Sequence, residues 1–308
     1  MTLRISTGSR GMGGAEANFP RVLSPEQLEK YHREGCLAIP GFLTAVEADS
    51  LRTACRRVID EMNPKDHQRT VFSTTDHEQS RNAYFLNSGD NVSFFFEQDA
   101  LDEKGELKVE KHLSLNKIGH ALHWLVPEFK RVSFSEKVKG VAKQLNFVSP
   151  AVVQSMYIFK QPGIGGEVTP HKDCTFLSTE PQSCVGFWFA LEDVTLENGC
   201  LWYSPGSQNQ PTQRRFIRNP DKTGPLTVFS HPPDPDDPSK YVSVPVPKGS
   251  LVLINGQVDH KSAKNTSPNS RHIYTFHVIE RHNTKWDEKN WLQPTPRMPF
   301  TGLYENES

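Results

Sequence analysis

The second half of the chain, from Pro150 onward, carries the pattern that constrains the fold most. Short runs of β-branched and aromatic residues alternate there with Gly, Pro, Asn and Asp, which is typical of strands separated by turns. The sequence Glu197-Asn198-Gly199-Cys200 adds a predicted hairpin, because Asn-Gly suits a type I′ turn. The clearest predicted strands are residues 152–159, 185–191, 201–203, 251–254 and 273–279.

The first half of the chain predicts helices instead. Ser24-Pro25-Glu26-Gln27 and Thr44-Ala45-Val46-Glu47 are capping boxes that each open a helix, with a short strand at residues 36–39 between them. Two later helices are predicted over residues 115–125 and 133–145, the second capped by Ser133 with Glu136 as its partner. Helices followed by strands predict an α+β fold, in which N-terminal helices buttress a double-stranded β-helix, also called a jelly roll or cupin-like core.

Composition narrows the functional classes. The 35 basic and 36 acidic residues nearly cancel, so no net field favours nucleic acid, and no apolar run reaches the length of a membrane span. Five cysteines without a C-x-x-C pair predict reduced thiols in an intracellular protein. Residues 1–20 read as a flexible tail without the apolar core of a secretory signal, and residues 21–308 as one domain. We therefore expect a cytoplasmic protein.

A first candidate for chemistry is the sequence Pro170-His171-Lys172-Asp173. Side chains two apart on a strand project to the same face, so His171 and Asp173 can supply adjacent ligands to a metal ion. A third ligand from elsewhere would complete a 2-His-1-carboxylate facial triad, which leaves open positions on Fe(II). A histidine and an aspartate in a surface loop explain the same three residues.

His260 and Arg271 are the candidates for the missing parts. His260 follows a predicted apolar strand and the breaker Asn255-Gly256, which places it near a strand end. Arg271 begins the next predicted strand, and a hairpin joining the two strands would bring both side chains to one interior. The planar guanidinium fork suits bidentate binding of a carboxylate. The alternative for Arg271 is a surface salt bridge.

Together with longer stretches, these residues resemble the phytanoyl-CoA dioxygenase family of Fe(II)/2-oxoglutarate oxygenases. The resemblance extends from Leu23 to Tyr304 and includes His171-x-Asp173, His260 and Arg271. Its most specific part lies in four stretches, residues 154–162, 165–168, 195–202 and 290–295.

The resemblance implies a function and a set of site residues. His171, Asp173 and His260 would bind Fe(II), and Arg271 would bind the distal carboxylate of the co-substrate 2-oxoglutarate, with O2 as the second co-substrate. The expected reaction is hydroxylation of a small molecule with release of succinate and CO2, because halogenating relatives carry a small residue where this chain has Asp173. Four further residues match positions that line the co-substrate pocket in the family, namely Lys117, Met156, Trp188 and Ser262.

Several alternatives stay open. Lys117 can be a solvated helix residue, Met156 and Trp188 core residues, and Ser262 a turn hydroxyl. The protein can also be a metal-binding sensor or scaffold without catalysis, or a zinc hydrolase, although a hydrolase has no need of a guanidinium opposite the metal. The substrate is a small molecule or a CoA thioester, whose phosphates the basic cluster Arg214, Arg215 and Arg218 would meet unless that cluster is ordinary surface. The sequence does not indicate the oligomeric state or the regulation.

Overall fold

A computed structural model describes residues 19–67 and 83–305 of the chain. Within these residues the α-helices all precede residue 145, and the two longest strands begin at residue 150 or later, in agreement with the predicted order. The described residues contain the α-helices α1 Pro25–Glu34, α2 Ala45–Glu61, α3 Ala83–Leu86, α4 Leu122–Leu125, α5 Pro127–Ser133 and α6 Glu136–Gln144. The predicted tail lies almost entirely outside the described residues.

The strands form two main antiparallel sheets. The first eight strands are β1 Cys36–Ile39, β2 Val92–Phe96, β3 Leu115–His120, β4 Pro150–Ile158, β5 Val168–His171, β6 Thr179–Glu180, β7 Val185–Ala190 and β8 Leu201–Tyr203. The other eight are β9 Phe216–Arg218, β10 Thr227–Phe229, β11 Val242–Val244, β12 Leu251–Asn255, β13 His260–Ser262, β14 Ile273–Glu280, β15 Lys285–Trp286 and β16 Thr301–Gly302. The large sheet has the order β1-β12-β7-β14-β4-β3-β2, with β16 also pairing β4, and the small sheet has the order β11-β8-β13-β5.

The strands of the large sheet alternate between two environments, as the period of two requires. On β14, Tyr274 and Phe276 point into a core shared with the helices, where α2 contributes Leu51 and Ile59. The opposite faces of β7 and β12 meet the small sheet in a second apolar core that includes Trp188, Val252, Leu201 and Tyr203. The large sheet is thus packed on both faces, with helices on one side and the small sheet on the other.

Capping explains where the first two helices begin. The Ser24 and Thr44 side chains accept hydrogen bonds from the amides of Gln27 and Glu47, the third residues of α1 and α2, and the side chains of these two residues accept in turn from the amides of the cap residues. Gly35 ends α1 in the left-handed region at φ 74°. Both predicted capping boxes are therefore confirmed, and so is the strand between the two helices.

One of the predicted helices is wrong, and the start of another is misplaced. Residues 115–120 form strand β3, which pairs with β2 and β4, and only Leu122–Leu125 make a helical turn. Pairing on both edges outweighs the helix-like spacing of the apolar residues. The predicted helix 133–145 is confirmed as α6, but it begins at Glu136, because Ser133 is the last residue of α5 and its hydroxyl donates to Phe129 O (2.8 Å). Ser135 occupies the N-cap position of α6.

The predicted hairpin at residues 197–200 is also wrong. The strands on either side, β7 and β8, belong to different sheets, so the connection carries the chain from the large sheet to the small one. The Asn198 side chain closes this crossover, because Oδ1 accepts from Thr195 N and Nδ2 donates to Asp193 O, both at 2.8 Å. Gly199 supplies the positive φ of 85° that the turn requires.

All five cysteines are buried and free, as expected for reduced thiols. Within residues 19–67 and 83–305, no helix combines the length and the apolar character needed to cross a membrane.

Candidate active site

Three side chains from two strand ends and a short 3-10 helix converge between the sheets. His171 is the last residue of β5, and His260 is the first residue of β13 and its direct partner across the small sheet. Asp173 opens a 3-10 helix, so it does not continue the strand of His171 as the sequence predicted. One ligand atom from each of the three side chains lies within 4.8 Å of the other two, so the group has the spacing of a metal site.

Backbone carbonyls orient both histidines. Nδ1 of His171 lies 2.9 Å from Thr169 O, and Nδ1 of His260 lies 3.0 Å from Val258 O. Since a carbonyl only accepts, Nδ1 carries the proton in each ring, and the lone pair of Nε2 faces the cavity. Burial lowers the pKa of His171 to about 4, which keeps this imidazole neutral at pH 7. Neutral imidazoles with free Nε2 atoms are the form in which histidine binds metal ions.

The carboxylate of Asp173 lies between three imidazoles. Its Oδ1 is 3.7 Å from His171 Nε2 and 3.6 Å from His260 Nε2, and its Oδ2 is 3.2 Å from His277 Nε2. Burial raises the pKa of this carboxyl. The neighbouring histidines, His277 most of all, lower the pKa by more than burial raises it, so the net shift is downward. Asp173 is therefore an anion, the remaining ligand type of a facial triad.

His277 is a neighbour of the site that the sequence did not indicate. It lies on β14, where alternate residues face the cavity, and this places Thr275 and His277 on the same wall. The only signal in the sequence is that alternation, counted from Ile273. Several histidines of the chain lie on strands, so the alternation alone does not single out His277.

Arg271 lies in the same cavity as the three candidate ligands. It precedes β14 by two residues and is 2 % exposed, and its Nε has no hydrogen-bond partner among the described residues. Its guanidinium carbon is 5.7 Å from the centre of the Trp188 ring. Burial lowers its pKa to about 10, so the group remains a cation at pH 7. A buried cation in a cavity, with no carboxylate paired to it in the part of the chain that the structure describes, has the form of an anion-binding site.

The route by which His260 and Arg271 meet differs from the predicted hairpin. β13, which holds His260, pairs with β5 and β8 in the small sheet, whereas β14 pairs with β4 and β7 in the large sheet. The two residues therefore approach each other across the space between the sheets. The alternative of a surface salt bridge for Arg271 is excluded by its burial.

The other four predicted pocket residues divide into two groups. Met156, Trp188 and Ser262 line the cavity, whereas Lys117 does not line it but lies behind Met156, with Nζ 3.9 Å from Met156 Sδ. Lys117 is on β3, so it is neither helical nor solvated, and burial lowers its pKa well below the ordinary lysine value. The remaining walls are Ile158, Val168, Gly186, Leu201, Ile254, Lys261 and Thr275.

Lys172 holds the segment that carries the candidate ligands. Its side chain is buried, and Nζ donates to the carbonyls of Ser207, Gln210 and Gln257 at 3.1, 2.9 and 2.9 Å. The same nitrogen lies 3.3 Å from Asp259 Oδ2, next to His260 in the chain. This one amine therefore ties the loop after β5 to the loop before β13.

The basic cluster is engaged with its own chain. The guanidinium of Arg214 lies 3.7 Å from the centre of the Phe229 ring, and Arg218 Nε donates to Trp291 O at 3.0 Å. Arg215 Nη1 lies 3.4 Å from Thr212 O. These contacts suit the ordinary-surface interpretation of the cluster.

Comparison of the sequence with known families gives one match of high coverage. A sequence model of the family described as Phytanoyl-CoA dioxygenase (PhyH) matches residues 31–273. The chain is 51% identical over 288 residues to Phytanoyl-CoA dioxygenase domain-containing protein 1 of Danio rerio, covering 92% of this chain and 99% of the relative. It is 44% identical over 283 residues to the homolog of Caenorhabditis elegans, covering 90% and 98%. The resemblance seen in the sequence is thus confirmed.

Solved structures show a similar fold at low sequence identity. The non-heme alpha ketoglutarate dependent carbocyclase SnoK from nogalamycin biosynthesis has a TM-score of 0.59 and 19% identity, covering 90% of this chain and 96% of its own. EctD from S. alaskensis, solved with 2-oxoglutarate and 5-hydroxyectoine, has a TM-score of 0.57 and 17% identity, covering 88% and 86%. A carbocyclase on this fold shows that the fold alone does not determine which oxidation follows.

Proposed function

Because the chain belongs to the phytanoyl-CoA dioxygenase family, we propose that it is an Fe(II)- and 2-oxoglutarate-dependent dioxygenase that hydroxylates a small molecule and releases succinate and CO2. The observation that carries this proposal is the buried Arg271 in the same cavity as His171, Asp173 and His260. A metal site alone suits many reactions. A metal site that shares its cavity with a buried guanidinium, whose Nε has no hydrogen-bond partner among the described residues, suits a metal-bound dicarboxylate.

The donor set fits Fe(II). His171 and His260 would present the lone pairs of their Nε2 atoms, and Asp173 would present one carboxylate oxygen, while the carbonyls of Thr169 and Val258 keep the imidazoles in the required tautomer. Bound Fe(II) would supply the redox chemistry that activates O2 and couples it to oxidative decarboxylation of 2-oxoglutarate.

The remaining cavity residues would position the co-substrate. Arg271 would bind the distal carboxylate through its two terminal nitrogens, and Trp188 would exclude water beneath the guanidinium. Met156 and Ser262 would contact the body of 2-oxoglutarate, and Lys117 would support the cavity wall through Met156. A carboxylate at residue 173 occupies the coordination position that a halide would need, which favours hydroxylation.

The proposal extends to the architecture. We take residues 21–308 as a single domain and the two facing sheets as a double-stranded β-helix whose N-terminal helices cover the outer face of the large sheet. We also propose a cytoplasmic location and a small-molecule substrate. For a CoA thioester, the arginine cluster at residues 214–218 would have to exchange its present contacts for phosphates, so we favour a substrate without that requirement.

The first experiment measures oxygen consumption and succinate formation by the purified protein with Fe(II), 2-oxoglutarate and a panel of small molecules. Succinate above the uncoupled background identifies the substrate, and Asp173→Ala should abolish it. Metal binding without any 2-oxoglutarate turnover would instead identify a sensor or scaffold. Metal-dependent hydrolysis that ignores 2-oxoglutarate would identify a zinc hydrolase.

A further inference from the structure

His277 lies between Gln154 and Asp173 and connects the large sheet to the candidate metal site through a contact to each. Its Nε2 lies 3.2 Å from Asp173 Oδ2, and its Nδ1 lies 3.2 Å from the side-chain amide nitrogen of Gln154. Both His277 and Gln154 are about 4–5 % exposed, so water does not compete for these contacts. The amide of Gln154 donates to Nδ1, which leaves the proton of the imidazole on Nε2, facing the carboxylate.

The sheet register explains why these side chains lie next to one another. On β14, His277 is the direct partner of Gln154 on β4 and of Gly186 on β7. The Gln154 side chain supports the ring from one neighbouring strand, and the absence of a side chain at Gly186 leaves room on the other. A Cβ built on Gly186 would lie 3.2 Å from Asp173 Oδ2 and 3.6 Å from His277 Nε2. A side chain at residue 186 would therefore crowd this carboxylate.

The two oxygens of Asp173 have different neighbours. Oδ2 faces His277, whereas Oδ1 lies 3.7 Å from His171 Nε2 and 3.6 Å from His260 Nε2, inside the group of candidate ligand atoms. A carboxylate whose second oxygen is held by a donor cannot rotate freely. Such a bond pre-orients the first oxygen and disfavours bidentate binding, which would occupy a second position on the metal.

We propose that His277 is a positioning residue, which fixes Asp173 as a monodentate ligand through Nε2 and is itself fixed by Gln154. This inference rests on the proposed metal role of Asp173. It assigns His277 no contact with substrate or metal. His277 orients the carboxylate of Asp173, so the loss of His277 lowers the affinity for the metal even when no reaction takes place.

The test measures Co(II) binding to the metal-free protein by calorimetry and by the visible absorption of bound Co(II), without 2-oxoglutarate. His277→Phe keeps the ring and the volume but removes the donor, and we expect 10–100-fold weaker binding, roughly the loss seen for outer ligands of this kind. His277→Gln places an amide nitrogen at a similar reach to Nε2, and we expect affinity within about threefold of the wild type. His123→Phe is the matched control, because it replaces another buried histidine, bonded to Ser155 outside the cavity.

A double-mutant cycle separates positioning from packing. Gln154→Leu should weaken Co(II) binding in the wild-type background. It should have no further effect in His277→Phe, because Gln154 acts on Asp173 only through His277. Thermal unfolding confirms that each variant is folded.

The proposal is overturned if folded His277→Phe binds Co(II) like the wild type, or if His277→Gln binds as weakly as His277→Phe. Failure of the wild type to bind any metal would instead refute the function proposed for the site.

Discussion

Replacement of Arg271 by glutamine gives the sharpest prediction. The guanidinium is 2 % exposed, faces the cavity of the three candidate ligands, and has no carboxylate partner among the described residues. If it binds the distal carboxylate of 2-oxoglutarate, the variant leaves that carboxylate buried without its cation. Loss of one partner of a buried, hydrogen-bonded charge pair costs about 3 kcal/mol, which corresponds to roughly 150-fold weaker binding.

The assay is an anaerobic calorimetric titration of the Fe(II)-loaded protein with 2-oxoglutarate. Arg271→Lys keeps the charge but loses the planar fork, so its affinity should fall between those of the wild type and Arg271→Gln. Acetate at equal ionic strength controls for nonspecific anion binding.

For Arg271→Gln we predict the opposite effect on the stability of the protein without ligand. In the absence of ligand, the buried cation gives up hydration without an ion pair, and burial already lowers its pKa. We therefore expect Arg271→Gln to be at least as stable as the wild type without 2-oxoglutarate, and to lose the stabilisation that 2-oxoglutarate gives the wild type. Affinity for 2-oxoglutarate within about threefold of the wild type in a folded Arg271→Gln protein would refute the assigned role.

Three further predictions concern the structure around the site. Gly186→Ala places a Cβ 3.2 Å from Asp173 Oδ2, so Co(II) affinity should fall several-fold in calorimetry while the helical circular dichroism stays unchanged. Lys172→Met removes the donor to three carbonyls and should lower the free energy of unfolding by about 3 kcal/mol in urea denaturation. Burial lowers the pKa of His123 to about 3. Between about pH 6.5 and pH 3, His123 therefore binds a proton in the unfolded chain but not in the native state. Stability should therefore decrease as the pH falls from 6.5 toward 3, by about 2 kcal/mol at pH 5 from this group, and His123→Gln should remove that share.

The sequence correctly predicts the strands whose residues are mostly apolar or aromatic. Strands β7, β12 and β14 are buried on both faces, so their residues are mostly apolar or aromatic, and local composition identifies them even though Thr275 and His277 interrupt β14. It failed over residues 115–125, where apolar residues at helical spacing belong to a strand followed by one helical turn. Partners distant in sequence decide that segment, because β3 pairs on both edges, with β2 and β4.

The candidate site shows the same division between local and distant information. The residue types of a facial triad and a carboxylate-binding arginine stand out in the sequence, but the strand alternation invoked for His171 and Asp173 and the hairpin invoked for Arg271 are both wrong in detail. His171 and His260 meet because β5 and β13 pair directly. Asp173 joins them from a 3-10 helix after the strand has ended.

The separation of the site between two sheets has a consequence for how it responds to change. His171 and His260 belong to the small sheet, whereas Arg271 and His277 enter from the large sheet, and Asp173 lies between them with one oxygen toward each side. A shift of one sheet relative to the other would therefore alter the distance between the two histidines of the small sheet and Arg271 without changing the pairing of His171 with His260. Variants that loosen the packing between the sheets without touching the cavity, such as Val252→Ala, should weaken 2-oxoglutarate binding more than Co(II) binding. Equal losses in the two affinities would show that the site behaves as one rigid unit.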